Sequence, residues 1–128
     1  MREEHLEASE KLVETIVEGI HRVKGQDVIS LQMNDLDHAF CDYFVICHGS
    51  SNTQVDAIAD SVQETVREEA QEKPWHKEGL NNATWVLLDY GNVLVHIFQK
   101  EYRDFYKLED LWADATTKRY EDTVTKKS

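Results

Sequence analysis

The stretch Trp85 to Phe98, WVLLDYGNVLVHIF, limits what this chain can fold into more than any other part of it. It reads as two short strands joined by a two-residue turn at Gly91-Asn92. That pair suits a primed hairpin turn, because Gly takes positive φ freely and Asn does so better than most residues. With this loop, Tyr90 faces Val93, Leu88 faces Val95 and Val86 faces Ile97 on one side of the hairpin. On the other side Asp89 faces Leu94, Leu87 faces His96 and Trp85 faces Phe98. Strand side chains alternate between faces, so a sheet wetted on one side should alternate apolar with polar. Only Asp89 and His96 interrupt the apolar pattern on the second face. Both faces therefore need cover: helices of the same chain, a second copy, or another protein.

The remaining segments supply a frame for the hairpin. Glu4 to Lys24 reads as an amphipathic helix with Val13, Ile16, Val17 and Ile20 on one side, ended by Gly25 as a C′ residue. Asp27 to Met33 alternates as a strand, with Ile29, Leu31 and Met33 on one face. Asp42 to Cys47, DYFVIC, is a continuous apolar run that suits a central strand buried on both faces. Ser51 with Gln54 three residues on is a capping-box pattern, and Val55, Ile58, Ala59, Val62 and Val66 mark the core face of the helix it opens. Pro74 cannot continue that helix, and PWHKEG reads as a short edge strand. After the hairpin, KEYRDFYKLEDLWADA reads as a short helix over 101–106, a turn and a second helical piece. Residues 116–128 are expected to be a polar tail, frayed or weakly helical, so that 1–115 form one domain. The order implies an α/β domain on a mixed β-sheet with flanking helices, in which a strand–helix–strand crossover gives a parallel pair and the hairpin an antiparallel one.

Charge narrows the partners. The chain carries 14 basic and 25 acidic residues, a net of −11. Four basic and two acidic residues lie in 116–128, so 1–115 hold 10 and 23, a net of −13. Such a body is repelled by nucleic-acid phosphates and attracted to basic partners. No stretch is long and apolar enough to span a membrane, and the charged start MREEHLEASEKL does not read as a signal or transit peptide. Cys41 and Cys47 have neither redox nor zinc spacing, which fits reduced thiols and a cytoplasmic setting.

Signals for chemistry are weak. Gly49-Ser50-Ser51 between a buried strand and a helix could hold phosphate on backbone N–H groups, but reads first as a tight turn with a helix cap. That layout, with a carboxylate on a later strand, resembles the nucleotidyltransferase superfamily. Its metal chemistry needs two or three converging carboxylates, whereas Asp89 stands alone with Gly91 in the second position. An enzyme or nucleotide-binding protein of that kind is thus the alternative reading. His96 and Asp89 could pair for acid–base work, or His96 could simply be a hydrogen-bonded residue near an interface. Cys47 and His48 point to opposite faces and cannot readily share a metal. We expect no catalytic residue, no metal and no cofactor.

DYFVICHGSSNTQVDAIADSVQE, KEGL and WVLLDYGNVLVHIFQKEYRDFYKLEDLWADA, in this order, closely resemble the ribosomal silencing factor family, also called Iojap. Asn92 stands where many relatives carry Asp. The resemblance implies a nucleotidyltransferase-like α/β fold without that catalysis and a frequent homodimer. It also implies repression of translation: members bind the large ribosomal subunit through its fourteenth protein and block small-subunit joining. A surface built from the hairpin and the aromatic C-terminal segment is the expected contact. Trp85, Leu87, His96, Phe98, Tyr106, Leu108, Leu111 and Trp112 would be its apolar anchors or their supports. Glu78, Asp89, Glu101 and Glu109 would be its charged rim or orienting groups.

Overall fold

The computed structural model describes residues 2–122. In chain order they form α1 (Arg2–Arg22), β1 (Gln26–Gln32), β2 (Tyr43–Gly49), α2 (Asn52–Ala70), β3 (His76–Glu78), β4 (Trp85–Asp89), β5 (Val93–Gln99), α3 (Lys100–Tyr106), α4 (Leu108–Leu111) and β6 (Thr116–Tyr120). The hairpin β4–β5 takes the register that its loop predicts, with Trp85 opposite Phe98, Leu87 opposite His96 and Asp89 opposite Leu94. Gly91 supplies the one left-handed position of the turn, at φ +90°, and the Tyr90 N–H donates to the Val93 carbonyl at 3.0 Å. Asn92 is not left-handed; its side chain instead donates to Ser9 Oγ at 2.8 Å, tying the turn to α1.

Six strands form one mixed sheet in the order β3-β4-β5-β2-β1-β6. The parallel pair is β2 with β5, so the α2 crossover carries the chain to the outer strand β3, and β4 brings it back to β5. Every residue of β2 is buried, as its unbroken apolar run requires. α1 and α2 cover the first face of the sheet. Leu12, Val13, Ile16, Val17 and Ile20 from α1 and Val55, Ile58, Ala59, Val62 and Val66 from α2 pack on Val45, Cys47, Val86, Leu88, Val95 and Ile97. Burying each such branched side chain stabilises the fold by about 1.5–3 kcal/mol. The outer sides of both helices carry Glu10, Glu14, Glu18, Asp56, Asp60, Glu64 and Glu68, all exposed. No helix among the described residues is long and apolar enough to cross a membrane.

Two local expectations are corrected. Lys24, not Gly25, takes the left-handed position after α1, at φ 63°. The Lys24 N–H donates to His21 O at 3.0 Å and the Gly25 N–H to Ile20 O at 2.9 Å, the paired bonds of a Schellman end. Gly25 is needed for space: a Cβ there would sit 2.3 Å from Ile20 Cγ2. The polar segment after Ala115, expected to fray or to be weakly helical, forms β6 along the outer edge of β1, with Ile29 opposite Arg119 and Leu31 opposite Thr117. An edge strand needs only backbone partners on one side, and residues of β6 remain largely exposed.

Because Ile20 is fully buried and β-branched, it cannot swing away from an added methyl group. Gly25→Ala should destabilise the fold by about 1–3 kcal/mol, the usual cost of overpacking, measured as a lower urea midpoint at unchanged slope.

Candidate partner-binding surface

Among the described residues, no long helix lies on the second face of the sheet. Ile29, Leu31, Met33, Phe44, Ile46 and Phe98 are covered there by the loop after β1, by α3–α4 and by Ala115. The α3–α4 corner is held down by one buried guanidinium. Arg103 Nη1 donates to the Asp27 carbonyl at 2.6 Å and meets His48 Nδ1 at 3.0 Å, while Nε and Nη2 reach Glu109 Oε2 at 3.3 and 3.2 Å. The Asp27 carbonyl is available because β1 departs from regular pairing there, between Gln26 and Ile29, with Asp27 at φ 53°. Burial, then the Arg103 charge, pushes His48 below its ordinary value, so its ring is a neutral acceptor.

Above this anchor the aromatic rings form a continuous layer. Trp85 stacks on Phe98 at 4.9 Å between centroids and touches Tyr106 at 5.0 Å. His96 lies at 4.7 Å from Phe44, whose ring meets Trp112 at 6.0 Å, and Trp112 in turn meets Phe40 at 6.3 Å. Trp85 Nε1–H donates to His96 Nδ1 at 3.1 Å, which leaves the neutral imidazole protonated on Nε2. That Nε2 is buried and has no hydrogen-bond partner among the described residues. Burial pushes His96 down to about 4.

The expected site residues separate into three groups. Trp85, Leu87 and Trp112 are half-buried on the second face, and Tyr106 and Leu111 are exposed beside them. Phe98, Leu108 and His96 are buried and can only support that surface; Phe98 and Leu108 offer nothing to a partner. Of the carboxylates, Glu78 is exposed on β3 and pairs with His76 at 2.6 Å, and Glu101 is exposed in the first turn of α3. Asp89 does not pair with His96: its Oδ1 accepts the Gly91 N–H at 2.7 Å and fixes the turn. Glu109 is no free rim charge either, because it is the partner of Arg103.

Exposed Phe105 and Phe40 and half-buried Leu94 complete the surface; Phe105 belongs to the aromatic C-terminal segment and Leu94 to the second face of the hairpin, whereas nothing in the sequence singled out Phe40. Leu111 is 72% exposed, Phe105 78% and Phe40 61%, unusual values for side chains of this size. Asp35, Asp37, Asp110 and Asp114 line a hollow of about 630 Å³ with Leu36, Leu111 and Trp112, so the apolar patch has an acidic margin.

The candidate phosphate site closes on itself. Ser51 caps α2, its side chain accepting the Gln54 N–H at 3.1 Å. Gln54 Oε1 then takes the Ser50 N–H at 2.8 Å and its Nε2 donates to the Lys24 carbonyl at 3.0 Å, so the side chain fills the turn and locks it to the end of α1. Among the described residues, no group of three or more His, Cys, Asp or Glu could hold a metal ion.

Residues 6–128 match the family described as "Ribosomal silencing factor during starvation". The chain is 36% identical over 118 residues to the ribosomal silencing factor RsfS of Halalkalibacterium halodurans, spanning 92% of this chain and 99% of that protein. It is 41% identical over 92 residues to the RsfS of Bacillus subtilis, spanning 72% and 76%. Its fold superposes on a crystal structure of a protein from Chromobacterium violaceum with a TM-score of 0.77 and 34% identity, covering 81% of this chain and 85% of that one.

Two expectations follow from these contacts. Arg103→Met leaves Glu109 half-buried without its cation and should destabilise the protein by about 3 kcal/mol in urea unfolding, with Glu109→Gln costing less. His96 titrates near 6.5 when unfolded and about 4 when folded. Stability should therefore be fully present above pH 6.5 and fall by up to about 3 kcal/mol as the pH drops to 4. His96→Gln should flatten that part of the pH–stability curve.

Proposed function

The chain belongs to the ribosomal silencing factor family, and from that premise we propose that it represses translation by occupying the large ribosomal subunit through the fourteenth protein of that subunit, so that the small subunit cannot join. The observation that carries this reading is the uncovered second face: Phe40, Phe105, Tyr106 and Leu111 exposed around half-buried Trp85, Leu87, Leu94 and Trp112. An apolar patch of aromatic anchors suits a protein partner, where such residues contribute most of the binding energy. The acidic margin, with Asp35, Asp37, Glu101, Asp110 and Asp114 exposed, suits a basic ribosomal protein and disfavours direct contact with RNA phosphates. In this reading Glu78 and Asp89 lie at the border of the patch, whereas Phe98, Leu108, His96 and Glu109 hold it in shape.

Repression of this kind is steric. A domain of this length has a radius of gyration near ~14 Å, thick enough to keep two subunits apart when seated between them. It needs occupancy rather than chemistry, and therefore no cofactor, and it acts in the cytoplasm. The nucleotidyltransferase alternative finds no support at the Gly49 turn, where Gln54 takes the Ser50 N–H that a phosphate would need.

The test is sedimentation with isolated large subunits, followed by addition of small subunits. Leu111 is too exposed for its replacement to change stability by more than about 0.5 kcal/mol. Leu111→Asp should nevertheless weaken co-sedimentation at least tenfold and restore subunit joining. If Leu111→Asp binds large subunits normally but loses self-association, the patch covers a second copy and the ribosomal reading of it fails.

A further inference from the structure

A second cavity, of about 760 Å³, opens on the other side of Phe40, between the hairpin turn, the loop before β2, the start of α1 and the link from α2 to β3. Its volume is in the range of small-molecule sites. Two aromatic side chains flank it: Phe40 and Trp75, the latter 82% exposed. Trp75 is nonetheless fixed. Its backbone N–H donates to the Asp89 carbonyl at 2.7 Å, and its ring lies over Gly91 so closely that a Cβ there would come within 3.2 Å.

Two carboxylates, Asp42 and Glu72, line the cavity beside neutral amide, hydroxyl and thiol groups and one imidazole. Asp42 Oδ2 receives Ser9 Oγ at 2.6 Å and His5 Nε2 at 2.7 Å, which holds the carboxylate from below. Its Oδ1 accepts no hydrogen bond among the described residues. Glu72 is a second, exposed carboxylate among the lining residues. Two buried oxygens of lining residues, Asn34 Oδ1 and Tyr90 Oη, have no partner among the described residues. Among the described lining residues there is no lysine or arginine, and the imidazole of His5 already sits on Asp42. Two carboxylates set against a single imidazole, with two oxygens lacking partners and exposed ring faces beside them, suit a ligand that is both positive and rich in N–H donors. A bare divalent ion is a poor fit, since no three-ligand cluster is present among the described residues.

We propose that this cavity binds a primary alkylammonium group, with Asp42 and Glu72 as counter-charges and the Trp75 and Phe40 faces against the carbon chain. The group could be the end of a free polyamine or a lysine side chain of a protein. The inference is independent of the ribosomal reading, because it uses a different cavity and none of the second-face anchors except the rim residue Phe40.

Spermidine and Nα-acetyl-lysine methylamide, each titrated by calorimetry into the full chain, separate the two sources. Saturable binding of spermidine alone would assign the site to free polyamines; comparable binding of the lysine amide would assign it to a protein side chain. In either case Glu72→Gln and Trp75→Leu should each weaken binding at least fivefold. Both residues are exposed, so these variants fold. Asp60→Asn, on the outer side of α2, should change the affinity less than twofold. The proposal is overturned if neither probe saturates. It is equally overturned if Asp60→Asn weakens binding as much as Glu72→Gln, which would mean diffuse attraction to an acidic protein.

Discussion

The architecture depends on one imbalance: a sheet with two apolar faces and long helices for only one of them. β2 and β5 form its centre as a parallel pair, and both are buried along nearly their whole length. α1 and α2 seal the first face completely. The second is closed by short pieces, a loop and the α3–α4 corner, that reach over Phe44, Ile46 and Phe98 and stop. Where they stop, large side chains remain in water. A monomer rarely keeps such a patch without use, because each exposed apolar side chain is a site for unwanted association. In the proposed function that patch is the contact with the ribosome.

What keeps the patch in shape is polar. Arg103 spans β1, β2 and α4 with a single side chain, and the Trp85–His96 hydrogen bond fixes two rings of the aromatic layer relative to each other. Anchors fixed before binding lose little side-chain entropy on docking, so more of the contact energy becomes affinity. The same rigidity explains why buried charge is tolerated: the guanidinium is held by a carboxylate, a carbonyl and an imidazole, so little of its hydrogen-bonding capacity is wasted.

Much of this was legible in the sequence, where periodicity or turn chemistry acts locally. The hairpin register followed from Gly91 and the loop length; the α2 face followed from Val55, Ile58, Ala59, Val62 and Val66. The short edge strand at His76–Glu78 was signalled by its position after Pro74. Failures came where tertiary contacts decide. Thr116–Tyr120 has no apolar alternation, because an edge strand held by its backbone needs none. Arg103 looks like any solvent-facing charge on a short helix until the chain folds back on β1. Trp85 and Phe98 are cross-strand neighbours on one face, and nothing in their spacing says that α3 covers one and leaves the other half open. Phe40 and Phe105 are aromatic residues of a kind usually buried, and only the path of the loop and helix leaves them outside. In the family identification, by contrast, the ordered blocks of sequence were sufficient, and the resemblance and the comparisons agree.

The position of β6 bears on how the molecule comes into being. Its Tyr120 hydroxyl meets Ser30 Oγ across 90 residues of chain, and Ile29 lies opposite Arg119. During synthesis β1 emerges long before its outer neighbour exists, and the closing guanidinium at Arg103 also arrives late. The nascent protein must therefore wait with an open sheet edge and an unroofed second face while most of its helical layer is already available. Long-range pairings of this sort slow folding and prolong exposure of sticky surface. Vectorial synthesis thus delays completion of the second face until the last strand has been translated.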